Sequence, residues 1–146
     1  MRSDMLVKRN RLIIDTNLWI SYLLGLDLNN LTDSIRHRVV ILLSSKELLF
    51  EFIQVAARPK LSRYFQEREL VELIDFLKYF SELIQVTSQV VICRDPKDNF
   101  LLALALDGKA SHLLTGDHDL LSIHRFGQTS ILTIREYMGG KMKYER

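Results

Sequence analysis

The sequence predicts an α/β fold, a three-layer α/β/α sandwich around a mostly parallel central sheet. Short apolar runs, of the kind a strand buried on both faces needs, recur along the chain. Stretches with apolar residues at helical spacing lie between them. Parallel strands joined through helices take right-handed crossovers, which cover both faces of the sheet.

Leu12-Ile13-Ile14 reads as the first buried strand and ends in Asp15-Thr16-Asn17. Helical spacing begins at Leu18, with Thr16 or Asn17 as the candidate cap and Gly25 as the stop. A second helix is expected from about Leu31 to His37 and a second strand over Val39 to Leu43. Ser44 or Ser45 opens the next helix, and Ser44 with Glu47 has the spacing of a capping box. Leu48, Phe52 and Val55 form its apolar stripe, and Pro59 limits it. Glu67 to Phe80 is amphipathic: Leu70, Leu73 or Ile74, and Leu77 share one side, while Glu67, Glu69, Glu72 and Asp75, with Glu82 just beyond, form a solvated face. Leu83 to Val86 and Val90 to Cys93 are short strand candidates. Arg94 to Lys97 reads as a turn into a helix from about Asp98, with Leu101, Leu102, Ala105 and Leu106 on its buried side and Gly108 at its end. Leu113 to Thr115 is another buried strand, followed by a Gly116-Asp117 turn. Ser130 to Ile134 is expected as the last strand, before a short C-terminal helix.

The chain of 146 residues has the size of one domain, about 100–150 residues, so 1–146 read as a single unit with loose ends at 1–10 and 140–146. An apolar content of 47% is enough for a core. Twenty basic against eighteen acidic residues leave a net charge of +2, which permits nucleic-acid binding without arguing for it. Cys93 is the single cysteine, which excludes an intrachain disulfide or a thiolate metal cluster and fits a reducing, cytoplasmic setting. No apolar run has the length of a spanning helix, so no membrane association is expected.

The chemistry lies in where acids fall. Asp15 follows the first strand directly, Asp117 lies two residues past a later one, Asp98 sits where a helix begins, and Glu51 lies on the helix that starts near Ser45. In an open α/β sheet, ligands bind beyond the carboxyl ends of the strands, so topology can bring these four together. Four carboxylates in one cleft repel one another unless a hard divalent cation joins them, and oxygen ligands suit Mg2+ or Mn2+. Such a cation activates water and neutralises charge on a phosphoryl oxygen, which fits phosphodiester hydrolysis. With the four acids set aside, fourteen acids face twenty bases, a remainder of +6 to meet a nucleic-acid backbone. Each acid has a plainer reading as well: Asp15 and Asp98 as helix caps, Glu51 as a solvent-facing charge, Asp117 as a turn residue.

Four blocks resemble PIN-domain ribonucleases. Arg11 to Asn17 looks like their opening strand, and Ser45 to Glu51, with Arg58-Pro59-Lys60 after it, looks like the segment bearing their Glu. Arg94-Asp95-Pro96-Lys97-Asp98-Asn99 is similar to the third block and Leu113 to Leu120 to the fourth. The resemblance runs from about Arg11 to Tyr137, and the branch it most resembles is the toxin components of prokaryotic toxin–antitoxin pairs. It implies a metal-dependent endoribonuclease with Asp15, Glu51, Asp98 and Asp117 as catalytic and metal-binding acids, using Mg2+ or Mn2+. Asp119 is implied as a spare metal ligand and Asp95 as a spare in the third block. Thr16 and Asn17 are implied to position Asp15 or a phosphate, and Thr115 to hold the carboxylates by hydrogen bonds. RNA is the implied substrate, a cognate antitoxin and a second copy of the chain the implied partners. The alternative is a catalytically silent PIN-like module that binds protein or RNA.

Other chemistries fit less well. His37, His112, His118 and His124 share no close ligand spacing with Cys93, which argues against zinc. No glycine-rich phosphate loop follows the first strand. A haloacid-dehalogenase-like phosphatase needs an acid where Asn17 stands. Trp19, with Leu18, Tyr22 and Leu23, reads as core or subunit interface before base stacking.

Overall fold

The apolar run at Leu12 forms strand β1 (Arg11–Ile14), an interior strand of a six-stranded sheet. The computed structural model describes residues 8–144, with side chains as far as residue 139. After β1 come helices α1 (Thr16–Leu23) and α2 (Asn29–Arg36), strand β2 (Ile41–Ser44), and helices α3 (Lys46–Ala56), α4 (Pro59–Ser62) and α5 (Glu67–Phe80). Strand β3 (Ser81–Leu83), helix α6 (Pro96–Gly108), strand β4 (His112–Leu114) and helix α7 (His118–Leu121) follow. Strands β5 (Arg125–Phe126) and β6 (Thr129–Leu132) and helix α8 (Ile134–Tyr144) complete the chain. Of the ends expected to be loose, residues 1–7 and 145–146 lie outside the described residues.

The strand order is β3-β2-β1-β4-β6-β5. Pairing is parallel throughout except at β5, which runs antiparallel to β6. Alternation along the strands builds two cores. Leu12, Ile14, Leu42 and Leu114 face Trp19, Ile20, Leu31, Ile35, Phe52, Leu73, Phe76 and Leu77, while Ile13, Leu43 and Leu113 face Leu101, Leu102, Leu104, Ala105 and Leu120. Each buried Leu or Ile contributes about 1.5–3 kcal/mol relative to exposure. The two cores make the three-layer α/β/α sandwich, and Trp19 lies in the first of them, 3% exposed, with no face free for a base.

Several boundaries differ from the sequence expectation, for identifiable reasons. Asp15, rather than Thr16 or Asn17, caps α1: its side chain accepts from the Asn17 N–H. Ser45, rather than Ser44 with Glu47, caps α3, accepting from the Leu48 N–H at 3.0 Å, while Ser44 stays in β2. The expected strand start at Val39 is spent closing α2, because the Val39 N–H donates to the Ser34 carbonyl at 2.9 Å and Arg38 takes φ 61°. Strand β6 stops at Leu132, since Thr133 and Glu136 exchange side-chain-to-backbone bonds of 2.9 and 3.0 Å that cap α8.

The largest correction concerns Val90 to Cys93, which form no strand. Val91 and Ile92 are 86% and 61% exposed. Side chains, not a ladder, satisfy this connection: Asp107 accepts from the Thr87 and Ser88 N–H groups, and Asn99 brackets Cys93, accepting from its N–H at 2.7 Å and donating to its carbonyl at 3.1 Å. The other candidate, Leu83 to Val86, is displaced to Ser81–Leu83 at the sheet edge.

Helix α6 starts at Pro96 with Asp95 as its cap, where a turn was expected, and it buries Leu101 through Ala105 without a break. Leu106, expected on the buried side, is 52% exposed. A Cβ at Gly108 would lie 3.0 Å from Leu43 Cδ1 and 3.2 Å from Ile84 Cγ1, so glycine lets α6 close on the sheet. The left-handed turn falls on Lys109, at φ 54°. On α3, Phe52 is buried and Phe50 is exposed, which puts Glu51 at a boundary. Among the described residues no helix is long and apolar enough to cross a membrane.

Candidate active site

Beyond β1 the chain passes to β2 on one side, while β4, far later in sequence, pairs on the other. The direction of winding therefore reverses between β1 and β4, and a crevice opens beyond their carboxyl ends. A cleft of about 230 Å3 lies there, lined by Asp15, Glu51, Asp95, Asp98 and Asp117, with Thr16, Asn17, Arg58 and Lys97. All four acids singled out in the sequence reach it, each from a different segment.

Asp15 is placed by β1, and its own N–H continues the sheet by donating to the Leu114 carbonyl at 3.0 Å. The residue is 7% exposed. One oxygen accepts from the Asn17 N–H at 3.2 Å and the other from the Thr115 hydroxyl at 2.8 Å. Burial raises its pKa above the usual carboxylate range; those two hydrogen bonds oppose the rise, and the charges of Asp117 and Glu51 add to it. Asp15 is thus both the cap of α1 and a carboxylate of the cleft.

Thr115 joins two of the acids. It is fully buried just past β4. Its hydroxyl donates to Asp15 and accepts from the Asp117 N–H at 3.0 Å. Asp117 in turn caps α7, accepting from the Leu120 N–H at 3.2 Å. Asn17 supports Asp15 through its backbone, and Thr16 contributes to the cleft wall.

Asp98 sits in the first turn of α6 and is 8% exposed. Its pKa is pushed up to about 7, first by burial, then by its hydrogen bond and repulsion with Asp117 and the charges of Asp95 and Asp15. Charging Asp98 beside Asp117 is costly, and this adds to the effect of burial. Glu51 reaches the cleft from α3 and bonds Lys97 Nζ at 3.0 Å.

The spare acids diverge. Asp95 lines the cleft and caps α6 through the Lys97 N–H at 2.9 Å. Asp119 turns to Arg94, 2.9 Å away, and is not part of the cleft lining. Sequence reasoning missed Lys97. Its pairing with Glu51 links segments far apart in sequence, so no local spacing signals it.

The donor set is all carboxylate oxygen, and burial with mutual repulsion leaves it short of positive charge, which fits a hard divalent cation in type. Among the described residues, no three His, Cys, Asp or Glu side chains are grouped to hold an ion as they stand.

Comparison with known proteins gives two matches. The PIN domain family model matches residues 11–119, well over half of the chain, a span within which all four acids fall. An uncharacterised protein of Methanocaldococcus jannaschii is 29% identical over 117 residues, covering 77% of this chain and 74% of its own length. No solved structure matches the chain.

Proposed function

We propose that this chain, which belongs to the PIN-domain family, is a divalent-metal-dependent endoribonuclease and the toxin of a toxin–antitoxin pair. Family membership supports a nuclease-type function in general. The observation that carries the finer reading is the meeting of Asp15, Glu51, Asp98 and Asp117 in one cleft at the β1/β4 switch point. The toxin role rests on the four sequence blocks.

In this reading Asp15, Glu51, Asp98 and Asp117 hold Mg2+ or Mn2+. When bound, the cation supplies an activated water and charge compensation at the phosphoryl oxygen. The chain's own contribution is preorganisation. Thr115 fixes the Asp15 carboxylate and the Asp117 backbone with one hydroxyl, so two acids keep their spacing without substrate. Asp98, with its raised pKa, would have to give up its proton to serve as a ligand, which would tie metal affinity to pH. Attack of water on phosphorus would form one P–O bond and break the P–O bond to the leaving ribose oxygen, which would take up the proton that the water gives up.

A second reading, a silent module that binds RNA or protein, draws on the Glu51–Lys97 ion pair and the lack of a ready three-acid group among the described residues. One assay separates the two. Labelled single-stranded RNA is incubated with the protein and Mg2+ or Mn2+, with and without EDTA. The nuclease reading expects cleavage that EDTA abolishes, added metal restores, and Asp15→Asn or Asp98→Asn removes. RNA that is bound but left intact with either metal supports the silent module. Induced expression that arrests growth, relieved by the product of an adjacent small reading frame and by Asp15→Asn, tests the toxin role.

A further inference from the structure

We infer that Lys97 is a phosphate-binding residue of the cleft, parked on Glu51 until a divalent cation takes that carboxylate and then free to meet the RNA backbone. This inference rests on the nuclease reading above. Lys97 Nζ lies 3.0 Å from Glu51 Oε2, so the contact crosses the cleft from α6 to α3. The lysine side chain is 64% exposed and its partner 28%. The stem is therefore not clamped by packing, while its root is fixed: the Lys97 N–H donates to Asp95 in the capped first turn of α6.

Charge decides what the lysine does. Five carboxylates line the cleft, against the two cations Lys97 and Arg58. Without metal, the nearest available counter-charge for Glu51 is the Lys97 ammonium. A doubly charged ion among the same oxygens attracts Glu51 more strongly than a single ammonium does, and it weakens the field that holds Lys97 inward. The released ammonium, a mobile point charge with three donors, remains at the mouth of the cleft where a scissile phosphate must enter. Lys97 therefore competes with metal and cooperates with RNA, two effects of opposite sign from one side chain.

The test uses the whole chain. Mn2+ binding alone is followed by the electron paramagnetic resonance of free Mn2+, and KM is measured with a short single-stranded RNA across a salt series. In Lys97→Gln, Mn2+ binds about threefold tighter or more, because a competing positive charge is gone. KM rises about tenfold. The slope of log KM against log salt shrinks by about 0.7, the share of one phosphate contact on a single strand. Lys97→Arg returns both quantities toward the parent. Tighter Mn2+ binding with unchanged KM and slope overturns the inference and leaves Lys97 a counter-charge only. Weaker Mn2+ binding in Lys97→Gln also overturns it, making the ion pair a brace between α3 and α6. A parent protein that neither binds Mn2+ nor cuts RNA sinks the nuclease reading and this inference together. A parent that does both while Lys97→Gln matches it sinks the inference alone.

Discussion

Asp98→Asn is expected to make the metal-free protein more stable while disabling it. In the fold the Asp98 pKa stands at about 7 against an ordinary 3.8, because burial and Asp117 oppose its charge. Each unit of pKa corresponds to about 1.4 kcal/mol. The cost of ionising Asp98 in the fold therefore has a ceiling of about 4 kcal/mol at pH 8. Relaxation around Asp98 and the cost of burying an amide reduce the gain to about 1–3 kcal/mol, or a rise in Tm of about 3–10 °C for a chain of this size. Because the folded pKa is raised, this group's stabilising contribution is fully present below about 3.8 and is lost as pH rises toward about 7. The difference between variant and parent should vanish near pH 4 and be largest at pH 8. Thermal melts in EDTA at the two pH values measure it, and added Mn2+ should reverse the ranking by stabilising the parent more. RNA cleavage should fall at least about 100-fold. If Asp98→Asn melts no higher than the parent at pH 8, or keeps its gain at pH 4, the account of Asp98 as a strained acid is wrong.

Thr115→Val should cost about 2–4 kcal/mol in urea unfolding, because it leaves the buried Asp15 oxygen and the Asp117 N–H without their shared partner. It should also weaken Mn2+ binding about tenfold, with Thr115→Ser retaining most of both. Asp119→Ala should change stability by less than about 0.5 kcal/mol, since its pair with Arg94 is exposed. The same variant should keep kcat and Mn2+ affinity within about twofold; a larger loss in titration or cleavage would restore Asp119 as a ligand. Lys109→Gly should raise stability by about 0.5–1 kcal/mol in the same unfolding assay, because Lys109 carries φ 54° at the end of α6.

The fold and the acids were legible in the sequence for one reason. A strand buried on both faces is a short apolar run, and the residue after it lies at the carboxyl edge of the sheet. Leu12-Ile13-Ile14 followed by Asp15, and Leu113-Leu114 followed by Thr115 and Asp117, carry that pattern openly. What was illegible depended on partners distant in sequence. Val90 to Cys93 has the composition of a strand, yet no ladder forms there: Asp107 takes the Thr87 and Ser88 N–H groups just before it and Asn99 brackets Cys93 at its end. Leu106 has a core residue's chemistry but lies just past the five consecutive residues that α6 buries. Strand β5 spans two residues, too few to show any period. The Glu51–Lys97 bond is a product of topology, as is the turning of Asp119 to Arg94.

The sheet order has a practical consequence. In the sheet, the part up to β3 builds the β3-β2-β1 side and the part from α6 onward the β4-β6-β5 side; the two pair along β1–β4, and α6 also packs across onto Ile13 and Leu43. Glu51 and Asp15 belong to the first portion, Asp98 and Asp117 to the second. A chain severed in the exposed stretch around Val91 and Ile92 would yield two fragments, each with half of the carboxylates and, on the nuclease reading, neither able to cut alone. On that same reading, recombining them would make RNA cleavage a direct report of whether the seam has reassembled, the logic of a split reporter.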